Sequence, residues 1–279
     1  MRKRFGPLEA LVPSIGQGTW NLEKDDSREA VAALRRGLDL GLTHIDTAEL
    51  YGGGEVEKMV AKAIAHRRDE VFLVSKVLPS NASRSGTKAA CERSLERLRT
   101  DRLDCYLLHW PGSHPLADTI ASFEDLRRAG KVLSYGVSNF DEELLRQAVL
   151  IAGPDKIVCN QVLYHLQERH ADAGLIQSCE EFDMAFVAYS PFGSGSFPSS
   201  TSRGGKVLDK VARAHGATPR QVALAFLTRK PSMFAIAKSS SPSHTEENAG
   251  ALDLKLEREE LEAIDAAFPV QRRRELPTL

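Results

Sequence analysis

The stretch Thr43–Tyr51, THIDTAELY, holds residue types from which proton chemistry is built. A short apolar run ends on Asp46, and Tyr51 follows five residues later. A carboxylate that closes a buried strand is costly without a partner. A tyrosine can give or take a proton, but its ordinary pKa of about 10 lies far from neutral. A nearby ammonium would favour the phenolate and bring that value down. Candidates stand at equivalent places further along. Lys76 closes the run VFLVSK, and His109 closes LDCYLLH. Other runs close on Trp20, on Ser138 with Asn139, on Gln161, on Tyr189 and on Lys238. Each has a plainer explanation alone: a snorkelling lysine, a packed histidine, an aspartate capping a turn. Taken together they need a scaffold that brings eight strand ends to one place.

The chain supplies an alternating pattern for that scaffold. Residues 5 to 12 alternate weakly and suggest a short hairpin. IGQGTW at 15–20 reads as a strand whose glycines permit close backbone packing. Asp26 or Ser27 can cap a helix to about Leu40, with Gly41 as its stop. After the strand from Thr43, Gly52-Gly53-Gly54 turns the chain into a helix over Glu55–Ala65. Strands follow at Val71–Lys76, Leu103–His109, Val132–Ser138, Ile157–Gln161, Ala185–Tyr189 and Phe234–Lys238. Between them the helical stretches are Ser85–Arg99, Thr119–Ala129, Asp141 to about Ile151, Asp172–Phe182, 206–215 and 219–229. Two more helices start from Thr245 and Glu257. The strands are mostly apolar runs rather than alternating ones, as parallel strands covered by helices should be. Eight such repeats over about 240 residues, with no linker, predict a single (β/α)8 barrel spanning 1–279. An open doubly wound sheet is the rival. It expects a Gly-rich dinucleotide fingerprint, and Gly16-Gln17-Gly18 lacks the third glycine.

Composition narrows the function classes. The formal net charge is −1, from 37 basic and 38 acidic residues, which gives no support to a nucleic-acid-binding protein. The clusters Arg2-Lys3-Arg4 and Arg272-Arg273-Arg274 read as solvated termini. No apolar run approaches a membrane span, and the basic N-terminus lacks the apolar segment of a secretory signal. Cys91, Cys105, Cys159 and Cys179 form no CxxC pair. They fit buried thiols of a reducing cytoplasm, with a disulfide or zinc site as the alternative. A cytoplasmic monomer acting on a small molecule is the expectation.

The segments IGQGTW at 15–20, HIDTAELYGGGE at 44–55, VSK at 74–76, LLHWP at 107–111, GVSNF at 136–140, NQV at 160–162, AYSPFG at 188–193 and IAKSSSPSHTEEN at 236–248 together resemble the aldo-keto reductases. The match in order and spacing runs from about Ile15 to Asn248. The resemblance implies a catalytic tetrad of Asp46, Tyr51, Lys76 and His109. Tyr51 would donate a proton to a carbonyl that accepts hydride. Lys76 would lower the tyrosine's pKa, Asp46 would hold Lys76, and neutral His109 would orient the carbonyl.

These side chains carry no hydride, so a cofactor is required. The resemblance implies NADPH across the barrel mouth, with contacts from Thr19, Trp20 and Asp46. Ser138, Asn139 and Gln161 would hold its carboxamide, and Tyr189 would stack on the nicotinamide. Ser190, Pro191 and Gly193 belong to a short loop matching the one over the pyrophosphate. Lys238, Ser239 and Ser241 match positions around the 2′-phosphate, and Glu247 and Asn248 match adenine contacts. His244 stands where the family often carries arginine. It offers no bidentate fork, so NADPH should be preferred to NADH by a smaller margin. Trp20 and Trp110, with Tyr51 and His109, match the substrate pocket, with core packing as the alternative for the tryptophans. Tyr164, Phe192 and Phe197 are further candidates for its border. The polar tail Gln271–Glu275 suggests an open pocket. Two rival functions remain. One is a Schiff-base aldolase using Lys76 as nucleophile, which needs a lowered lysine pKa. The other is a cofactor-binding regulatory subunit without turnover.

Overall fold

Eight parallel strands close into a barrel, and a two-stranded antiparallel hairpin precedes it. The computed structural model describes residues 1–271 and 275–279. The cluster Arg272–Arg274, and with it much of the polar tail, lies outside the described residues. The hairpin pairs β1 (Arg2–Arg4) with β2 (Leu11–Pro13). The barrel then runs β3 (Ile15–Gly18), α1 (Ser27–Asp39), β4 (His44–Asp46), α2 (Glu55–Ile64), β5 (Phe72–Val77) and α3 (Gly86–Leu98). It continues through β6 (Leu103–Leu108), α4 (Leu116–Arg128), β7 (Val132–Ser138), α5 (Glu142–Ala152), β8 (Ile157–Leu163), α6 (Leu175–Glu181) and β9 (Ala185–Tyr189). It finishes with α7 (Arg203–Ala214), α8 (Pro219–Leu227), β10 (Met233–Lys238), α9 (Pro242–Ala249) and α10 (Arg258–Ala267). β10 pairs with both β3 and β9, which closes the ring and removes the open-sheet rival.

Local chemistry explains the element starts. Asp26 accepts from the amides of Arg28 and Glu29 and so caps α1. Asp141 caps α5 in the same way, at Leu144. Thr218 and Gln221 form a reciprocal capping box at α8, with Pro219 at its first position. Three expectations shift. The hairpin strands bracket residues 5–10, which form the turn instead of the ladder. α4 begins three residues earlier than its expected start at Thr119, directly after Pro115. The helix expected over Asp172–Phe182 splits into a 3-10 turn at His170–Ala173 and α6. Asp172 explains the split, because its carboxylate is taken by Tyr164, Arg169 and Arg229 and anchors the turn below the helix.

The hairpin plugs the N-terminal end of the barrel. Phe5 is 1% exposed and meets His44, Phe72 and Phe234 edge-on or tilted. Gly6 turns with φ +59°, and a Cβ there would stand 2.3 Å from the Val158 carbonyl oxygen, so only glycine fits. Lys3 donates to the carbonyls of Thr228, Lys230 and Met233, tying the hairpin to the segment before and within β10. Above the plug, Val74, Cys105, Leu107, Cys159, Val187 and Ile236 pack with Phe5 in one cluster. The larger cluster joins the outer faces of the strands to the helices. All four cysteines are buried and none forms a disulfide. Among the described residues, no helix is long and apolar enough to cross a membrane. With one end plugged, the C-terminal strand ends are left to form a site.

Candidate active site

Strand periodicity delivers the first two groups. Residues two apart share a face, so His44 and Asp46 of β4 point with Val74 and Lys76 of β5 into the barrel, while Ile45 and Ser75 face the helices. The Lys76 ammonium donates to Asp46 Oδ1 at 2.5 Å, to the Thr47 carbonyl at 2.9 Å and to the Tyr51 hydroxyl at 3.2 Å. Lys76 is 0% exposed and Asp46 1%, so this is a desolvated ion pair. The second Asp46 oxygen accepts from Gln161 Nε2 at 2.8 Å. Both oxygens of the carboxylate are therefore committed.

The loop after β4 brings Tyr51 back over the mouth by fastening itself to β5. The Thr47 amide donates to Val74 O at 2.9 Å and the Glu49 amide to Lys76 O at 3.3 Å. The buried Glu49 carboxylate accepts from the Leu78 amide at 2.7 Å and from Asn81 Nδ2 at 2.9 Å. The Tyr51 hydroxyl and the Lys76 ammonium are thus set by one strand end. The loop then turns through three glycines. Gly54, at φ +97°, lies so close to Arg97 that a Cβ would stand 2.5 Å from its side chain. Arg97 pairs with buried Glu57 at 2.5 Å, and Glu57 also accepts from Ser75 Oγ at 2.7 Å.

His109 completes the group. Its ring meets the Tyr51 ring edge-on at 5.8 Å and leans on Trp110 at 4.7 Å. Burial, with the Lys76 charge adding to it, pulls its pKa down to about 2. The imidazole is neutral across the working range, and Nδ1 has no partner. Burial disfavours the Lys76 charge, but Asp46 and Tyr51 together reverse this, and the net shift is upward. The expectation for Tyr51 needs correction. Lys76 does pull its pKa down, but burial, reinforced by Asp46, outweighs that pull and leaves the value raised. The phenol is therefore protonated at neutral pH, the state an acid must start from.

A cavity of about 220 Å³ opens onto these groups. Tyr51, His109, Trp20, Trp110 and Leu50 line one side. Ser138, Asn139, Gln161 and Tyr189 line the other. Asn139 donates to the His109 carbonyl at 3.1 Å and accepts from the Tyr189 hydroxyl at 3.1 Å. Ser138 donates to the Gln161 carbonyl at 2.8 Å, and Thr19 to the Asp46 carbonyl at 2.8 Å. Hydrogen bonds so join Gln161 to Asp46, Lys76 and Tyr51. Trp20 and Trp110 are 43% and 38% exposed, so simple core packing does not describe them. Tyr164, by contrast, is fully buried outside the cavity lining.

The expected cofactor residues divide into two sets. Thr19, Trp20, Asp46, Ser138, Asn139, Gln161, Tyr189, Ser190 and Lys238 line the cavity. Pro191 and Gly193 lie outside its lining, in the loop that carries Phe192, and Phe192 and Phe197 pack on each other under Arg220. Ser239, Ser241, His244, Glu247 and Asn248 continue from Lys238 along the length of α9. Ser241, the N-cap of α9, makes no side-chain capping bond. The helix end thus keeps amides for an anion. Two amides and a hydroxyl beside an aromatic ring fit a nicotinamide, and the uncapped helix end beside Lys238 fits a phosphate.

Residues beyond the expected set also reach the site. Leu50, Ile236 and Leu279 line the cavity, so its rim is less polar than the tail composition implied. Leu50 could have been found as the exposed apolar residue beside Tyr51. Nothing in the sequence marked Leu279. Glu49 gave no signal, because its role depends on the neighbouring loop.

The aldo/keto reductase family model matches residues 14–268. The chain is 40% identical over 263 residues to methylglyoxal reductase YeaE of Escherichia coli K12, covering 94% of this chain and 93% of that one. It is 33% identical over 259 residues to glyoxal reductase of Bacillus subtilis 168, covering 91% and 88%. Among solved structures, an aldo/keto reductase of Klebsiella pneumoniae in complex with NADP and acetate superposes with a TM-score of 0.92 at 39% identity, covering both chains fully.

Proposed function

This chain belongs to the aldo/keto reductase family, and we propose that it reduces small aldehydes or ketones to alcohols with NADPH as a single catalytic unit. The observation that carries the proposal is the linked set of Asp46, Lys76, Tyr51 and His109, in which Lys76 lies buried behind Asp46, Tyr51 and His109, and these three line one cavity. A bound reduced nicotinamide supplies hydride. Everything else falls to the chain's own residues.

A carbonyl oxygen that gains electron density needs a proton and a fixed position. Tyr51 gives its hydroxyl proton to that oxygen. The Lys76 ammonium at 3.2 Å lowers the cost of the phenolate left behind. Asp46 keeps Lys76 charged in a site that would otherwise expel the charge. Neutral His109, its ring against that of Tyr51, orients the carbonyl without competing as an acid. Ser138, Asn139 and Gln161 would hold the carboxamide of the nicotinamide, and Tyr189 would pack against its ring. Trp20, Trp110 and Leu50 exclude water around the substrate. The raised pKa of Lys76 stands against the Schiff-base alternative, whose nucleophile must be a neutral amine.

The names of the relatives favour small dicarbonyls as the first substrates to try. The test is a panel of methylglyoxal, glyoxal, simple aldehydes and ketones, followed by loss of reduced-nicotinamide absorbance with NADPH and NADH in parallel. Turnover with NADPH, and weaker turnover with NADH, is expected. Equal or better efficiency with NADH would contradict the cofactor preference. Cofactor binding without turnover of any carbonyl would favour the regulatory role.

A further inference from the structure

The sequence pairs two aspartates ahead of α1, and the structure gives them different work. Asp26 is the helix cap, its Oδ1 accepting from Arg28 and Glu29 amides at 2.9 and 3.0 Å. The Asp25 side chain caps no helix. Its carboxylate reaches across the rim of the barrel mouth to the ammonium of Lys238, 213 residues away in the chain. Both side chains are 35% exposed. The pair joins the loop after β3 to the end of β10.

Lys238 stands at the entrance to a set of groups suited to a phosphate. Ser239 Oγ donates to the Ser241 carbonyl at 2.8 Å and shapes the turn into α9. Ser241 and Ser243 hydroxyls lie 2.9 Å apart at the uncapped helix end. Exposed His244 follows on the first turn. The helix dipole and free amides favour an anion there. Nearby Glu246 is already engaged by Arg36 of α1 at 2.7 Å. Asp25 is thus an anion of the chain itself held on Lys238. The pairing lowers the pKa of Asp25, so its charge persists through the neutral range.

We propose that Asp25 is a specificity-determining residue: by occupying Lys238 it competes with the 2′-phosphate of NADPH and narrows the preference over NADH. This rests on the cofactor reading above. Two anions cannot share one ammonium without mutual repulsion. The phosphate must displace the carboxylate or bind beside it, and NADH, with no phosphate there, meets no such competition. His244 and Asp25 then act in the same direction, one by offering no guanidinium and the other by engaging the lysine.

The test uses the full chain and its Asp25→Asn and Asp25→Ala variants. NADP+ and NAD+ are titrated by quenching of tryptophan fluorescence, since Trp20 and Trp110 line the cavity. Adenosine 2′,5′-bisphosphate and 5′-AMP serve as competitors. In both variants the Kd for NADP+ should fall about three- to fivefold, the size expected of one exposed ion pair. The Kd for NAD+ should move less than about twofold, and added salt should shrink the difference. The bisphosphate should gain like NADP+, and 5′-AMP should not. In a Lys238→Ala background the Asp25 substitutions should have no selective effect. Unchanged or weaker NADP+ binding, or an equal shift for both dinucleotides, would overturn the inference while leaving the cofactor reading intact. Failure of the unsubstituted protein to bind NADP+ would overturn both.

Discussion

Asp46→Asn isolates the contribution of the buried ion pair. The substitution keeps shape and removes charge. Lys76 is left as a fully buried ammonium whose remaining partners are the Thr47 carbonyl and the Tyr51 hydroxyl. Breaking a buried pair in this way costs about 3–5 kcal/mol. Without Asp46, the burial that disfavours the ammonium dominates, and the pKa of Lys76 falls below its ordinary value. The melting temperature should drop on the order of 10 °C near neutral pH. The sign with pH follows from proton binding. The folded lysine then loses its proton at a lower pH than the unfolded one, which titrates near 10.4. Between these values the unfolded chain holds more protons, so stability rises with pH and the deficit shrinks. The introduced asparagine must also offer its amide nitrogen to one of two donors, Lys76 or Gln161, so one contact is lost or a side-chain amide flips. Carbonyl reduction should fall about 100-fold and decline further above the new lysine pKa. Melting curves and NADPH-linked rates between pH 6 and 10 read both effects. A melting deficit that is small and constant with pH would refute the reasoning.

Other perturbations separate scaffold from site. His44 is buried beside Phe5 and Phe72, with its pKa lowered to about 4, mainly by burial and less so by Lys76, while Asp46 opposes. The unfolded histidine binds a proton below about 6.5 and the folded one does not, so by pH 4 this group costs about 3 kcal/mol. His44→Leu should therefore flatten the loss of thermal stability between pH 6.5 and 4; an unchanged acid profile would remove His44 from the account. Gly54→Ala places a side chain at φ +97° against Arg97, so it should cost about 1–2 kcal/mol and lower kcat more than it weakens NADPH binding. Equal loss in both would deny the turn a positioning role. Thr218→Ala removes the capping box of α8 and should cost about 1 kcal/mol in denaturant melts with kcat unchanged.

The barrel was legible because its strands are mostly apolar runs and each closes on a polar or aromatic residue. Lys76, His109 and Gln161 are conspicuous against LVS, YLL and IVCN. The caps Asp26 and Asp141 were legible because capping is local chemistry. Asp172 shows where local reading fails: its carboxylate serves Tyr164 and Arg229, partners far along the chain, and the helix expected there breaks. The ionisation of Tyr51 failed for a similar reason. Sequence placed an ammonium beside it but could not weigh that charge against burial. Asp25 was not singled out, because Asp26 or Ser27 sufficed as the cap of α1 and its partner Lys238 lies 213 residues along the chain. Leu279 reaches the cavity by a path no pattern encodes.

The central claim is that Tyr51 supplies the proton to the reduced carbonyl. Tyr51→Phe keeps the ring against His109 and Lys76 and removes only the hydroxyl. Its kcat is measured on the best carbonyl of the panel, together with the Kd for NADPH. The account predicts a fall in kcat of about 100-fold or more with the NADPH affinity nearly unchanged. Near-normal turnover by the phenylalanine variant would contradict it.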